Sequence, residues 1–354
     1  MKNITVIGID IAKNVLQIHG MDSAGKKVLQ KRIERGKFLT YMANLPQCLV
    51  GMEACGGAQY WATQLIKLGF EVRLMPPRKV KKYAEHHKND ARDAAACAEA
   101  VTRASMTFVT IKTDVQLDLQ ALHRARSFYI KERTRLTNMT RGLLAERGIV
   151  MPKGEAAFVK KIQALLGDED FMGERRELLN DLYEMFKIID EKVERHTNKL
   201  KKIATEDAHC QQLDTILGIG PITATALVAK IGNGSEFKRG RELSAYLGLV
   251  PKQHSSGDKQ SLHGISKNGD RYIRQLLVHG GRSCLVSATR INKITKTFEK
   301  QDAHSQWIRE LINRVGMNKA SVAVANKNAR IAIAVLKKQE AFDPALAHMD
   351  HFNQ

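Results

Sequence analysis

The sequence has few cysteines, no long apolar run and too few acids to balance its basic residues. Its five cysteines form no CxxC pair, which excludes a disulfide framework and a cysteine-rich zinc site. No apolar run approaches the roughly 20 residues of a membrane-spanning helix. The first residues also lack the layout of a signal peptide. We therefore expect a cytoplasmic protein with no membrane partner, whose cysteines are reduced and mostly buried.

The shortage of acids points to a partner of opposite charge. The 354 residues include 57 Lys and Arg against 37 Asp and Glu, so the net charge at pH 7 is +20. Charge of one sign repels itself in a folded chain, and a polyanion relieves this repulsion. Nucleic acid is the first candidate. An anionic membrane surface is the second, but the lack of a membrane-spanning apolar run disfavours it. The length is sufficient for two or three domains.

The first hundred residues alternate between strand and helix patterns. Strands are predicted at 4–9, 15–19, 27–33, 48–52 and 71–75. A helix is predicted between the last two strands, ending at about residue 68, and an Ala-rich helix covers 90–102. Three consecutive strands followed by αβα units indicate a mixed sheet covered by helices.

Residues 114–207 form a long, charged segment with helical periodicity. A 3–4 spacing of mostly apolar residues predicts a coiled-coil seam. The seam residues are Leu179, Leu182, Phe186, Ile189, Val193, His196, Leu200 and Ile203. Their partner is either the earlier helix near 115–148 or a second copy of the chain, and the sequence leaves both open. The earlier helix is rich in arginine, and we expect Arg124, Arg126 and Arg133 to contact nucleic-acid phosphate, with a solvated face as the alternative.

Residues 211–340 open with LDTILGIGPITATALVAKIG, whose Gly-Ile-Gly turn resembles a helix-hairpin-helix. Such a turn presents backbone N–H groups to DNA phosphate, although core packing alone also accounts for glycines. A loop rich in glycine, serine and cations follows, and a helix is predicted to begin near Asp270. Lys267, Arg271 and Arg274 are spaced to share one helical face, where they would contact phosphate or simply be solvated. Residues 343–354 are expected to form a flexible tail.

Four acids are placed where a carboxylate needs a function. Asp10 and Glu53 each end an apolar strand, and Asp90 and Asp93 share one face of a helix. Strand ends converge at one edge of an open sheet, where a helix can add further acids. Such a cluster suits Mg²⁺ or Mn²⁺. The alternative is structural: a single strand-end Asp is often so, and Asp90 could be a helix N-cap.

The motifs GIDIAK, MEACGG and KNDARDA resemble those of insertion-sequence transposases with an Asp-Glu-Asp-Asp tetrad, relatives of pilin-gene invertases. The resemblance continues in order through LGIGPITATAL, YLGLVP, SSG and GISKNGDRYIR. It implies an α/β RNase H-like (RuvC-like) metal-binding domain at 1–110, a helical coiled-coil region at 111–208 and a mainly α transposase domain at 209–342. It also implies that Asp10, Glu53, Asp90 and Asp93 are the catalytic metal ligands.

The same resemblance gives a role to Ser256, which otherwise lies in an ordinary loop beside His254, Asp258 and Lys259. It implies that Ser256 attacks a DNA phosphate and forms a covalent 5′-phosphoserine, with Ser255 as the fallback. It further implies a structured guide RNA from the element, donor and target DNA as substrates, a dimer or tetramer, and a bacterial, nucleoid-associated location.

Three other functions remain open at this point. A RuvC-like Holliday junction endonuclease would need only the acids and a metal-activated water. A sugar-kinase-like or actin-like ATPase would share the GIDIAK strand, but the sequence shows no second Gly-rich nucleotide loop. A passive architectural DNA-binding protein would leave the four acids without a purpose.

Overall fold

The computed structural model describes residues 3–84, 89–256, 259–292, 294–295 and 297–343. The chain divides into two compact units, Met1–Thr113 and Asp114–Gln354. Of the tail that we expected to be flexible, all but Asp343 lies outside the described residues. Within the described part of the chain, no helix combines the length and the apolar composition needed to cross a bilayer.

The first unit is built on a five-stranded mixed sheet in the order β3-β2-β1-β4-β5. The strands are β1 (Val6–Ile11), β2 (Val15–Met21), β3 (Lys27–Glu34), β4 (Leu49–Glu53) and β5 (Glu71–Met75). Strands β1, β2 and β3 form an antiparallel meander, whereas β4 pairs in parallel with both β1 and β5. All five predicted strands and the mixed sheet are confirmed.

Helices cover both faces of this sheet. They are α1 (Phe38–Ala43), α2 (Ala58–Lys67), α3 (Pro77–Val80) and α4 (Asp90–Val101), with short 3-10 turns at Arg35–Lys37 and Lys81–Tyr83. Ile7 and Ile9 of β1 are buried in the same cluster as Phe38 and Trp61 of α1 and α2. Because side chains alternate along a strand, Gly8 and Asp10 belong to the other face, which α4 covers.

The second unit is mostly helical. Its helices are α5 (Asp114–Ala145), α6 (Glu155–Leu166), α7 (Glu174–Glu206), α8 (Ala208–Asp214), α9 (Pro221–Ile231), α10 (Gly240–Tyr246), α11 (Arg271–Ala288), α12 (Ala303–Val315) and α13 (Met317–Lys338). A two-stranded hairpin, β6 (Pro251–Ser256) and β7 (Lys259–Ile265), lies between α10 and α11. Helices α5 and α7 both pack against α9. A separate domain boundary at residue 208 therefore stays a prediction.

The apolar seam of α7 is buried inside the chain. Leu179, Phe186, Val193 and Leu200 are all less than a tenth exposed, and α7 packs along α5. The intramolecular alternative is therefore confirmed, while supercoiling of the pair and a seam with a second copy stay predictions. All five cysteines are free thiols, and Cys97, Cys210 and Cys284 are buried, as predicted.

Candidate metal site and serine hairpin

Asp10 and Glu53 lie side by side at one edge of the sheet. In the parallel pairing of β1 with β4, Ile9 is opposite Met52, and each acid is the next residue of its strand. Asp10 and Glu53 are therefore neighbours, although 42 residues separate them in sequence. Both are on the face that α4 covers, because each lies two positions beyond a glycine that contacts this helix.

Two glycines allow α4 to approach that face closely. A Cβ atom built on Gly8 would lie 2.0 Å from the carbonyl oxygen of Ala94, and one on Gly51 would lie 2.7 Å from that of Cys97. Sequence reasoning did not single out these positions. The signal was present, since a glycine precedes each strand-end acid by two residues, as Gly-x-Asp and Gly-x-Glu.

Helix α4 brings Asp90 and Asp93 to the same edge. Asn89 is the N-cap, because its side chain accepts a hydrogen bond from the backbone N–H of Ala91 at 3.0 Å. The structural alternative for Asp90, an N-cap role, is therefore wrong, and Asp90 is the first residue of the helix. Both acids lie in the first turn, where the positive end of the helix dipole favours carboxylates.

The carboxylates of Asp10, Asp90 and Asp93 come within 4.8 Å of one another. The pKa of Asp10 rises to about 6, first because the group is partly buried and then because of the charges of Asp90, Asp93 and Glu53. Glu53 is not one of the three acids whose carboxylates lie within 4.8 Å of one another, but its charge also raises the pKa of Asp10. The predicted acids thus converge on one site.

This donor set fits a divalent cation. Carboxylate oxygens are the hard ligands that Mg²⁺ and Mn²⁺ prefer. Carboxylates this close together repel one another and are destabilising unless a positive charge lies between them. The site lies at the end of a strand pair and at a helix N-terminus, both formed by regular backbone, so its geometry is fixed by the fold.

Ser256 is the last residue of β6, and the hairpin corrects the prediction of a loop at this position. Ser256 pairs with Lys259, and His254 pairs with Ser261, so Ser256 and His254 share one face while Ser255 belongs to the other. All of β6 is exposed. Asp258, the predicted acidic neighbour, lies outside the described residues. The pair Gly257-Asp258 between two short runs was a hairpin signal in the sequence.

Three of the arginines that we predicted to contact nucleic acid bind other residues of the second unit. Arg126 donates to Thr197 Oγ1 at 2.7 Å. Arg133 forms ion pairs with both Glu155 and Asp190. The guanidinium of Arg274 donates to the carbonyl oxygens of Leu247 and Asn268, each at 2.9 Å. Their contact with nucleic acid stays a prediction.

The other three cations are exposed. These residues are Arg124, Lys267 and Arg271. Helix α11 begins at Arg271, close to the predicted start, and Asp270 is its N-cap. Lys267 precedes the helix with a left-handed backbone (φ 55°), so the expectation that it shares a helical face with Arg271 and Arg274 is wrong.

The Gly-Ile-Gly turn lies between α8 and α9, as the helix-hairpin-helix pattern predicts. Gly218 has φ +88°, and a Cβ atom there would lie 2.8 Å from the carbonyl oxygen of Gly280 in α11. Packing against α11 therefore accounts for this glycine. Gly220 faces open space, and a phosphate contact there stays a prediction.

Comparisons with known proteins agree with this arrangement. A family described as "Transposase IS116/IS110/IS902 family" matches residues 210–298, and a second family, described as "Transposase" and labelled DEDD and IS110, matches residues 7–148. The second match includes all four acids, and the first includes Ser256.

Similarity to individual proteins extends over nearly the whole chain. A transposase for insertion sequence element IS1111A from Coxiella burnetii is 41% identical over 97% of this chain and 92% of that protein. A probable family 20 transposase from Pseudomonas aeruginosa is 39% identical over 97% of this chain and 99% of that protein. A pilin gene-inverting protein from Moraxella bovis is 31% identical over 37% of this chain and 38% of its own length. The chain therefore belongs to the IS116/IS110/IS902 family of insertion-sequence transposases.

Proposed function

We propose that this chain is a metal-assisted DNA recombinase that moves an insertion sequence through a covalent phosphoserine. The observation that carries the proposal is the convergence of Asp10, Asp90 and Asp93 within 4.8 Å at one edge of the sheet. Three antiparallel strands followed by two parallel ones, with acids at the edge, support an RNase H-like (RuvC-like) identity for the first unit. The family membership supports the rest.

The acids serve to bind the metal. Asp10, Asp90 and Asp93 supply the converging oxygens, and Glu53 adds a fourth carboxylate at the neighbouring strand end. When bound there, Mg²⁺ or Mn²⁺ would neutralise these charges and supply a Lewis acid for a phosphate oxygen of the DNA. The packing of α4 on Gly8 and Gly51 holds the ligands in register, so loss of this contact displaces two carboxylates at once.

Ser256 is the proposed nucleophile of strand cleavage. Its Oγ bonds to phosphorus while the bond from phosphorus to the 3′ oxygen breaks. The serine proton passes to solvent or to a neighbouring proton-accepting group. The departing strand end takes up a proton and becomes a free 3′ hydroxyl. The 5′ phosphate remains on the serine, so a 3′ hydroxyl from another strand can reverse the step and join new ends. The exposed hairpin supports this role, because a strand of DNA can reach Ser256.

The charge and the family support a proposal for the substrates and partners. We propose donor and target DNA, a structured guide RNA from the element, and a dimer or tetramer that holds two duplexes together. The net charge of +20 suits such a polyanionic assembly. Of the six cations predicted to contact nucleic acid, Arg124, Lys267 and Arg271 are exposed and so accessible to phosphate.

Covalent trapping tests the nucleophile. The full chain, co-expressed with element RNA, is mixed with Mg²⁺ and labelled donor and target DNA and is separated on a denaturing gel. We expect a labelled protein–DNA band that disappears in Ser256→Ala. Asp10→Asn should remove both the band and the recombinant product.

Ser255→Ala is the matched control, because the neighbouring serine belongs to the opposite face of the same strand. It should keep the band, and loss of the band there instead would move the nucleophile by one residue. Cleaved DNA that persists in Ser256→Ala without any covalent band would favour the junction endonuclease, with metal-activated water as the nucleophile.

A further inference from the structure

A cavity of about 310 Å³ lies within the second unit, among α5, α9 and the first turn of α11. It is separate from the acids and from the serine hairpin in sequence, and the proposed function gives it no role. Ala226 and Ala229 of α9 form part of its lining, and their small side chains leave the space open. Cavities of this size and larger are typical of sites for ligands of drug size, which is the size class of one nucleotide.

An exposed aromatic ring lines this cavity. Phe128 of α5 is 57% exposed, and its ring makes an edge contact with that of Tyr129. Leaving a phenyl ring in water forgoes the free energy that its burial would contribute. A planar ligand in the cavity would cover it. Nucleobases stack on aromatic side chains in this way, with little dependence on sequence.

Cations stand on either side of this ring along the helix. Arg124 lies four residues before Phe128 and Lys131 three residues after it, so the three side chains share one face of α5. Both cations are exposed, and neither forms an ion pair with any residue that the structure describes. Their charges are therefore available to a phosphate.

The inner wall of the cavity is polar and firmly held. His123 is buried, and its two ring nitrogens lie 3.1 Å from Tyr272 Oη and 3.1 Å from Thr225 Oγ1. Lys230 is held by Asp270 at 3.5 Å. Gln120 also lines the cavity and offers a donor and an acceptor together, which is what the edge of a base requires.

We propose that this cavity binds one unpaired nucleotide, with Phe128 stacked on the base and with Arg124 and Lys131 on the adjacent phosphates. The nucleotide must be unpaired, because a base within a duplex is stacked on its neighbours and has no free face to offer. The chemistry of base, sugar and phosphate is common to single-stranded DNA and RNA. The inference does not depend on the roles of Ser256 and the acids.

Photo-crosslinking and binding on the full chain test this site. Single strands of 12 nucleotides carrying 5-iodouracil, as DNA and as RNA, are irradiated with the protein, and a fully paired duplex of the same sequence is the comparison. We expect a single-strand crosslink in the tryptic peptide Ser127–Lys131 at Phe128. A strong preference for the DNA or the RNA strand shows which nucleic acid supplies the nucleotide. Equal binding means that the cavity recognises only the chemistry common to DNA and RNA.

Matched substitutions complete the test. Phe128→Ala should weaken single-strand binding about tenfold but duplex binding less than about twofold. Met139→Ala removes another half-exposed apolar side chain of α5, outside the cavity, and should change neither. Arg124→Gln and Lys131→Gln should each make the logarithmic salt dependence shallower by about 0.7.

The proposal is overturned by a crosslink elsewhere, or by Phe128→Ala affecting single strand and duplex equally or not at all. Circular dichroism and thermal unfolding of each variant confirm that the fold is intact. No strand cleavage is measured, so failure here would leave the recombinase proposal untouched.

Discussion

A Cβ atom placed on Gly8 would lie 2.0 Å from the carbonyl oxygen of Ala94, so helix α4 rests directly on the backbone of strand β1. Asp90 precedes Ala94 by one helical turn, and Asp10 follows Gly8 by one strand repeat on the same face. The contact between Gly8 and Ala94 therefore determines the distance between the two acids. Gly8 and Ala94 carry no reactive group themselves, but their packing positions Asp10 and Asp90.

Gly8→Ala should destabilise the first unit and disrupt the acidic site together. The new methyl group meets backbone atoms of α4, which cannot move aside as a flexible side chain would, and we expect a loss of about 3 kcal/mol in the free energy of unfolding. Denaturant unfolding measures it. Gly36→Ala is the control, because Gly36 faces open space at an ordinary φ. Equal midpoints for the two variants would contradict the packing argument.

Asp10→Asn should raise the thermal stability of the chain without metal and reduce the stabilisation that metal provides. In EDTA the variant should melt at a higher temperature than the parent chain, because it removes a partly buried charge whose pKa is raised by burial and by Asp90 and Asp93. In MnCl₂ it should gain less stability than the parent, with a loss of metal affinity of at least about tenfold. Thermal unfolding in both buffers measures the two effects.

Asp22→Asn is the control for the metal experiment. Asp22 lies in the turn between β2 and β3, where its Oδ1 accepts hydrogen bonds from the backbone N–H groups of Ala24 and Lys26. An amide oxygen can replace that acceptor, so the control should behave as the parent chain in both buffers. A full Mn²⁺ response in Asp10→Asn would show that Asp10 is not a ligand.

Arg133→Gln should cost stability, whereas Arg135→Gln should not. The Arg133 side chain is 16% exposed and pairs with Glu155 and Asp190, joining α5 to α6 and α7. Its loss removes both ion pairs, and we expect about 1–2 kcal/mol of destabilisation. The Arg135 side chain is 81% exposed, and its loss should stay within about 0.5 kcal/mol. Denaturant unfolding compares them, and equal effects would show that the Arg133 pairs contribute nothing.

His123 should make the second unit sensitive to acid. Burial, and then the charge of Arg126, lowers the pKa of His123 from 6.5 to about 4. The folded chain therefore resists a proton that the unfolded chain binds. This stability is fully present above about pH 6.5 and is lost as the pH falls toward 4, by up to about 3 kcal/mol.

Unfolding of His123→Gln at several pH values isolates that contribution. The advantage of the parent chain over this variant should shrink as the pH falls through the window from 6.5 to 4. His279→Gln, which replaces an exposed histidine of α11, is the matched control for the substitution itself. A constant difference between the parent chain and His123→Gln would refute a neutral, buried His123.

Local pattern was enough to predict the strands, the main helices and the four acids. Short apolar or alternating runs bounded by turn residues marked β1 to β5, and an acid at the end of a strand marked Asp10 and Glu53. These signals are local, because strand and helix periodicity and capping are set by residues within one or two turns. The hairpin was missed because β6 is exposed throughout and so has no alternation of apolar and polar residues.

Tertiary structure alone decided which side chains lie near one another and which cations remain free to contact a phosphate. Parallel pairing of β1 with β4 joined two acids that are distant in sequence, and the close approach of α4 added two more. Arg124 and Arg133 look alike in the sequence, yet one is exposed beside a cavity and the other is held by two acids. Composition determined that the chain is strongly basic. Which of its cations are free for a phosphate depends on neighbours that only the folded chain brings together.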